Sequence, residues 1–115
     1  MNMKTNVLDL PLKKEWYNMI ESGVKTEEYR EIKPFWIKRL TELSTDVIPF
    51  SMRNGYQSIP FKKYEYVRFR YGYTRRTMTY KVKEIVLGHG KLEWGHTTAA
   101  AVFIIKLGEK VSETW

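Results

Sequence analysis

Residues 64–87 constrain the fold more than any other stretch of the chain. From Tyr64 to Tyr71 the side chains alternate, with Val67, Phe69 and Tyr71 on one face and Tyr66, Arg68 and Arg70 on the other. Successive side chains of a strand point to opposite faces, so this two-residue period predicts a strand with one buried side. Gly72-Tyr73-Thr74-Arg75-Arg76 then supplies a hairpin loop, and Thr77–Leu87 resumes the alternation with Met78, Tyr80 and Val82 in phase. Near Glu84-Ile85 the apolar positions change face, which predicts a bulge or a bend. Ala99–Leu107 is apolar on both faces, as a central strand is. The second half of the chain therefore reads as sheet.

The first half reads differently. Val7–Leu12 is a short strand with Leu8, Leu10 and Leu12 on one side. Over Lys13–Ser22, Trp16, Met19 and Ile20 recur at helical spacing, and Gly23 suits the position just past a helix end. Pro34 is placed to open a second helix reaching about Leu43, with Trp36, Leu40 and Leu43 as its apolar stripe and Ser44-Thr45-Asp46 ending it. The tail after Gly108 is expected to be poorly ordered unless Trp115 docks. Two short helices and several strands predict an α+β fold organised around a small β-barrel. At 115 residues, one domain spanning 1–115 is expected.

Composition narrows the function. With 43% hydrophobic and 29% charged residues, the chain has an ordinary globular make-up. It contains no run of roughly 18 apolar residues, and its first residues carry no apolar leader, so neither a membrane span nor a signal peptide is expected. The absence of cysteine excludes disulfides and thiolate metal sites and fits a cytoplasmic location. His89 and His96 are the only histidines and read as loop residues, so no metal is expected. No glycine-rich phosphate loop and no Gly-x-Ser-x-Gly elbow is present, and no cofactor is expected.

The net charge of +7 is concentrated. Residues 62–83 hold eight Lys/Arg against one Asp/Glu, together with five tyrosines and Phe69. Residues 1–61 hold nine against eight, and residues 84–115 three against four. Cations neutralise phosphates and rings stack on bases, so Arg68, Arg70, Tyr73, Arg75 and Arg76 are candidate nucleic-acid contacts.

A second cluster lies in Gly23-Val24-Lys25-Thr26-Glu27-Glu28-Tyr29-Arg30. If this segment is extended, Lys25, Glu27 and Tyr29 share one face, and Thr26, Glu28 and Arg30 the other. Arg30 offers a planar fork for phosphate or carboxylate, Lys25 a movable point charge, and Glu28 a base or an acceptor. The pattern Gly23-x-Lys25-x-x-Glu28-x-Arg30 resembles the ASCH domain. So do Leu10-Pro11-Leu12-Lys13, Trp16-Tyr17-x-x-Ile20, Lys33-Pro34-Phe35-Trp36-x-x-Arg39-Leu40 and Glu93-Trp94-Gly95.

That resemblance implies a PUA-like β-barrel and an RNA-associated role, with RNA or a nucleotide-like ligand as partner. The Gly23–Arg30 loop would line a ligand cleft, with Lys25, Arg30, Trp36 and Arg39 as contacts beside the basic strands. A second implication is enzymatic. Some ASCH-like proteins hydrolyse an acylated nucleoside with a lysine, a threonine three positions later and a more distant glutamate, and others are linked to ribonuclease activity. Lys25 matches the lysine, but Glu28 stands where the threonine would be. A hydrolase would then use Lys25 and Glu28, with Thr26 and Glu84 as lesser candidates.

Overall fold

The computed structural model describes residues 6–43 and 59–114 of the chain. Ser44-Thr45-Asp46 and Trp115 lie outside the described residues. In chain order the elements are β1 (Val7–Leu12), α1 (Lys14–Glu21), β2 (Glu27–Glu31), α2 (Pro34–Leu40), β3 (Tyr66–Tyr71), β4 (Thr77–Gly88) and β5 (Val102–Thr114). A short 3₁₀ turn, Leu92–Trp94, precedes β5. The strands form one five-stranded sheet in the order β1-β3-β4-β5-β2, which with two helices makes a small α+β fold. Two compact units are built from interleaved segments of the chain. Among the described residues no helix is long and apolar enough to cross a membrane.

The described part of the first unit comprises residues 6–27, 63–84 and 106–114. Here β1 pairs in parallel with β3, with Leu8 opposite Val67, Leu10 opposite Phe69 and Leu12 opposite Tyr71. Partners in register share a face, so these residues form one side of the sheet, buried except at the half-buried Tyr71. β3 and β4 are antiparallel, with Phe69 opposite Met78 and Val67 opposite Tyr80, and Tyr71 N–H donates to Arg76 O across the hairpin at 2.9 Å.

Helix α1 buries Tyr17 and Ile20, whereas Trp16 and Met19 are only half-buried. The expected face is rotated by one residue because the Tyr17 ring packs edge-on to Tyr71, 5.0 Å between centroids. The helix ends as its glycine foretold. Gly23 takes φ +84°, a left-handed conformation that costs an L side chain energy, and its N–H donates to Ile20 O at 3.0 Å.

The tail does not follow expectation. Gly108 to Thr114 continue β5, and Gly108 packs against Lys81. The Thr77 and Thr114 hydroxyls lie 3.3 Å apart, and Lys81 Nζ is 2.8 Å from Glu109. Polar and ionic cross-strand pairs hold a segment that has little apolar content of its own.

The second unit draws on residues 28–62 and 85–105. Its core includes Ile37, Leu40, Phe103 and Ile105, all fully buried, and the Phe61 ring meets Phe103 edge-on. α2 stops at Leu40 rather than near Leu43, because Thr41 turns extended and bridges Phe61. Thr41 Oγ1 donates to Ile37 O at 2.6 Å, Lys62 N–H to Leu40 O at 2.9 Å and Glu42 N–H to Pro60 O at 2.7 Å. The first two bonds satisfy helix carbonyls from outside α2, and the third ties the chain after the helix to Pro60. Ile37 and Leu40 form the buried stripe, while Trp36 and Leu43 are half-buried. Along β4 the buried positions pass from Met78 and Tyr80 to Ile85, the change of face expected from the sequence.

Candidate functional site

The basic segment is less uniformly cationic in space than in sequence. Register places Asp9 opposite Arg68, and the carboxylate accepts from Arg68 Nε at 2.6 Å. Lys81 pairs with Glu109. Arg76 is only half-exposed and held from several sides. Its guanidinium donates to Glu21 at 2.7 Å and lies 5.2 Å from the Tyr17 ring and 4.8 Å from the Tyr71 ring. Burial pushes the Tyr17 phenol above its ordinary value, with Arg76 opposing the shift.

Three acids distant in sequence thus neutralise three of the eight cations. Lys63, Arg70, Arg75 and Lys83 have no carboxylate partner among the described residues. Arg70 braces the hairpin by donating to Thr74 O at 3.0 Å, and Thr74 Oγ1 closes the turn onto Tyr71 O at 2.7 Å. Tyr73 stands at the tip of that braced loop, 100% exposed.

Also in the first unit, Lys25 follows the α1 stop, its N–H donating to Met19 O at 3.0 Å. Its side chain is only 2% exposed, and Nζ sits 4.3 Å from the centre of the Trp16 ring. Such a cation–π contact stabilises the ammonium where water is scarce. Lys25 lines a cleft of about 380 Å³ together with Gly23, Thr26, Tyr80, Gly108 and Lys110. Thr26 is exposed and its carbonyl accepts from Leu107 N–H at 3.1 Å. Burial raises the Tyr80 phenol, and its hydroxyl donates to Ile20 O at 3.2 Å. Glu84 faces solvent, 3.5 Å from Lys106 Nζ, and lines no described cleft.

Glu28, Arg30, Trp36 and Arg39 belong to the second unit. Glu28 is buried, and its carboxylate accepts from Arg30, whose guanidinium also donates to Tyr29 O at 3.0 Å. The same guanidinium lies 5.1 Å from the Trp36 ring centre, and Arg30 lines a small cleft of about 140 Å³ with Tyr29, Glu31, His96 and Thr98. Arg39 is half-exposed on α2.

Sequence reasoning passed over the best-built cluster of this unit. Tyr29 is buried, its hydroxyl accepts from Lys91 N–H at 2.9 Å, and its ring occupies the space a side chain at residue 90 would need. His96 Nδ1 accepts from Gly90 N–H, so Nε2 carries the hydrogen donated to Ala100 O at 2.8 Å. Both ring nitrogens are thus engaged by backbone, and His96 stacks on His89, 5.3 Å between centroids at 5°. The signal lay in Gly88-His89-Gly90 and in His96 six residues on, but only the folded loop brings them together. Trp94 is buried beneath Lys91, whose Nζ is 4.3 Å from its ring centre. Among the described residues no group of three or more His, Asp or Glu could hold a metal ion.

Neither protein-family models, curated proteins nor solved structures yield a match to this chain.

Proposed function

We propose that this chain is a single-stranded RNA-binding domain of the PUA-like kind, gripping the strand on the exposed face of β1, β3 and β4. The observation that carries the reading is the hairpin tip, where the fully exposed Tyr73 lies between Arg70 and Arg75 in the sequence. Lys83 on β4 and Lys63, which precedes β3, add two further cations without a carboxylate partner among the described residues. A ring that every base can stack on, flanked by cations for the phosphates, suits unpaired nucleotides. The ASCH resemblance and an α+β fold with mixed strand pairing support the same reading.

Hydrolysis of an acylated nucleoside or of RNA by Lys25 and Glu28 is the weaker reading. Arg30 already holds the Glu28 carboxylate that would act as base.

Fluorescence anisotropy with a short labelled RNA over a salt series tests the proposal. Tyr73→Ala should weaken binding by the worth of one stacked base, about 1–3 kcal/mol, without changing the salt slope. Replacing both Arg70 and Arg75 with Gln should lower that log–log slope by about 1.4, at roughly 0.7 per phosphate contact. Unchanged binding in both variants would leave these residues a solvated face. Wild-type turnover lost in Lys25→Met and Glu28→Gln would reverse the order of the two readings.

A further inference from the structure

We infer that α2 carries a second contact for single-stranded RNA, in which a base stacks on Phe35 and the neighbouring phosphate meets Lys38. This rests on the RNA reading above and adds a site to it, in the second unit.

Phe35 is 65% exposed on a helix that fully buries Ile37 and Leu40. A lone exposed apolar side chain is ordinary. This one stands at the end of a braced series. The Glu28 carboxylate and Tyr29 O hold the Arg30 guanidinium, the guanidinium lies over Trp36, and Trp36 meets Phe35 edge-on at 4.8 Å and 86°. Trp36, one of the contacts the resemblance implied, is thus half-buried with Arg30 against its ring. The open ring is that of Phe35. Because its neighbour is already fixed, stacking a base there orders few further side chains.

The charges around it suit a polyanion. No acidic residue lies within α2. Lys38, one turn on from Phe35, is on the same side of the helix and exposed. Lys62 Nζ donates to Lys38 O at 2.9 Å, placing a second cation at the helix end. An aromatic face with a cation one turn away suits a ring joined to a phosphate. A duplex, with its bases stacked inside, has no free ring to offer.

The test uses the full chain and a short labelled single-stranded RNA. Phe35→Ala should weaken binding roughly 5- to 100-fold with an unchanged salt slope, Phe35→Tyr should retain it, and Lys38→Gln should lower the slope by about 0.7. Ultraviolet crosslinking should place RNA on the peptide containing Phe35. If Phe35→Ala binds as wild type while the Arg70/Arg75 variant is weakened, the α2 contact alone is wrong. If the wild type binds no RNA, both proposals fall. Two further results would also overturn it: a self-association that Phe35→Ala dissolves, or Phe35-dependent binding to anionic phospholipid vesicles in place of RNA.

Discussion

Replacing Gly90 by alanine isolates one contact. A Cβ built on Gly90 would lie 2.1 Å from Tyr29 Cζ and 2.5 Å from both Cε atoms, well inside van der Waals contact. Gly90 does not have positive φ, so alanine meets no backbone penalty there and the whole effect is steric. The Tyr29 ring cannot swing aside freely, because its hydroxyl accepts from Lys91 N–H. Overpacking of this kind costs about 1–3 kcal/mol, and losing the hydroxyl contact adds roughly 1 kcal/mol. The expected loss is about 2–4 kcal/mol, a large part of the stability of a small domain. At about 4 °C per kcal/mol, the melting temperature should fall by roughly 8–16 °C. Urea denaturation of the wild type, Gly90→Ala, Tyr29→Ala and the double variant would measure the coupling. Tyr29→Ala removes both the ring that the new methyl group would strike and the hydroxyl contact, so the double variant should be more stable than the sum of the singles predicts, by about 2–4 kcal/mol. A Gly90→Ala protein within about 0.5 kcal/mol of wild type, on the order of a neutral surface change, would refute the steric reasoning.

Two other outcomes follow from the first unit. The Lys81 hydrogen bond holds the Glu109 carboxyl below its ordinary value, and the Lys110 hydrogen bond does the same for Glu113. A carboxyl lowered in the folded state contributes stability at neutral pH that is lost as pH falls through the folded value, below the ordinary glutamate range. The melting temperature should therefore drop more steeply on the acid side in the wild type than in a Glu109→Gln, Glu113→Gln variant; parallel curves would remove these pairs from the account. Gly23→Ala should cost only the left-handed backbone energy of about 1–2 kcal/mol, since nothing lies within 4 Å of the added carbon. A urea midpoint shift equivalent to more than about 3 kcal/mol would show that this account of the α1 stop is incomplete.

What was legible in the sequence was local. The alternation of Val67 and Phe69, the hairpin at Gly72–Arg76 and the α1 stop at Gly23 each depend on a few neighbouring residues, and each is found. Features fixed by distant partners were not legible. α2 ends early because Thr41 meets Phe61, and Gly108–Thr114 is strand because Lys81 and Thr77 lie beside it. The same limit applies to the candidate site. Arg68, Arg70 and Arg76 look alike in sequence, yet one pairs with Asp9, one braces a turn and one lies between two tyrosines and Glu21. Tyr29 is placed by the sequence only on a strand face with Lys25 and Glu27, because the contact that fixes its ring is with a glycine 61 residues later.

The parallel pairing of β1 with β3 has a consequence for synthesis. Asp9 and its partner Arg68 are 59 residues apart in the chain. Translation at about 5–20 residues per second makes the first strand wait roughly 3–12 s for its partner to emerge. Throughout that interval Leu8, Leu10 and Leu12 have no β3 beside them to extend the apolar face they share with Val67 and Phe69. Until Tyr66–Tyr71 is made, the backbone groups that β1 offers to β3 must therefore be satisfied by water or transient contacts.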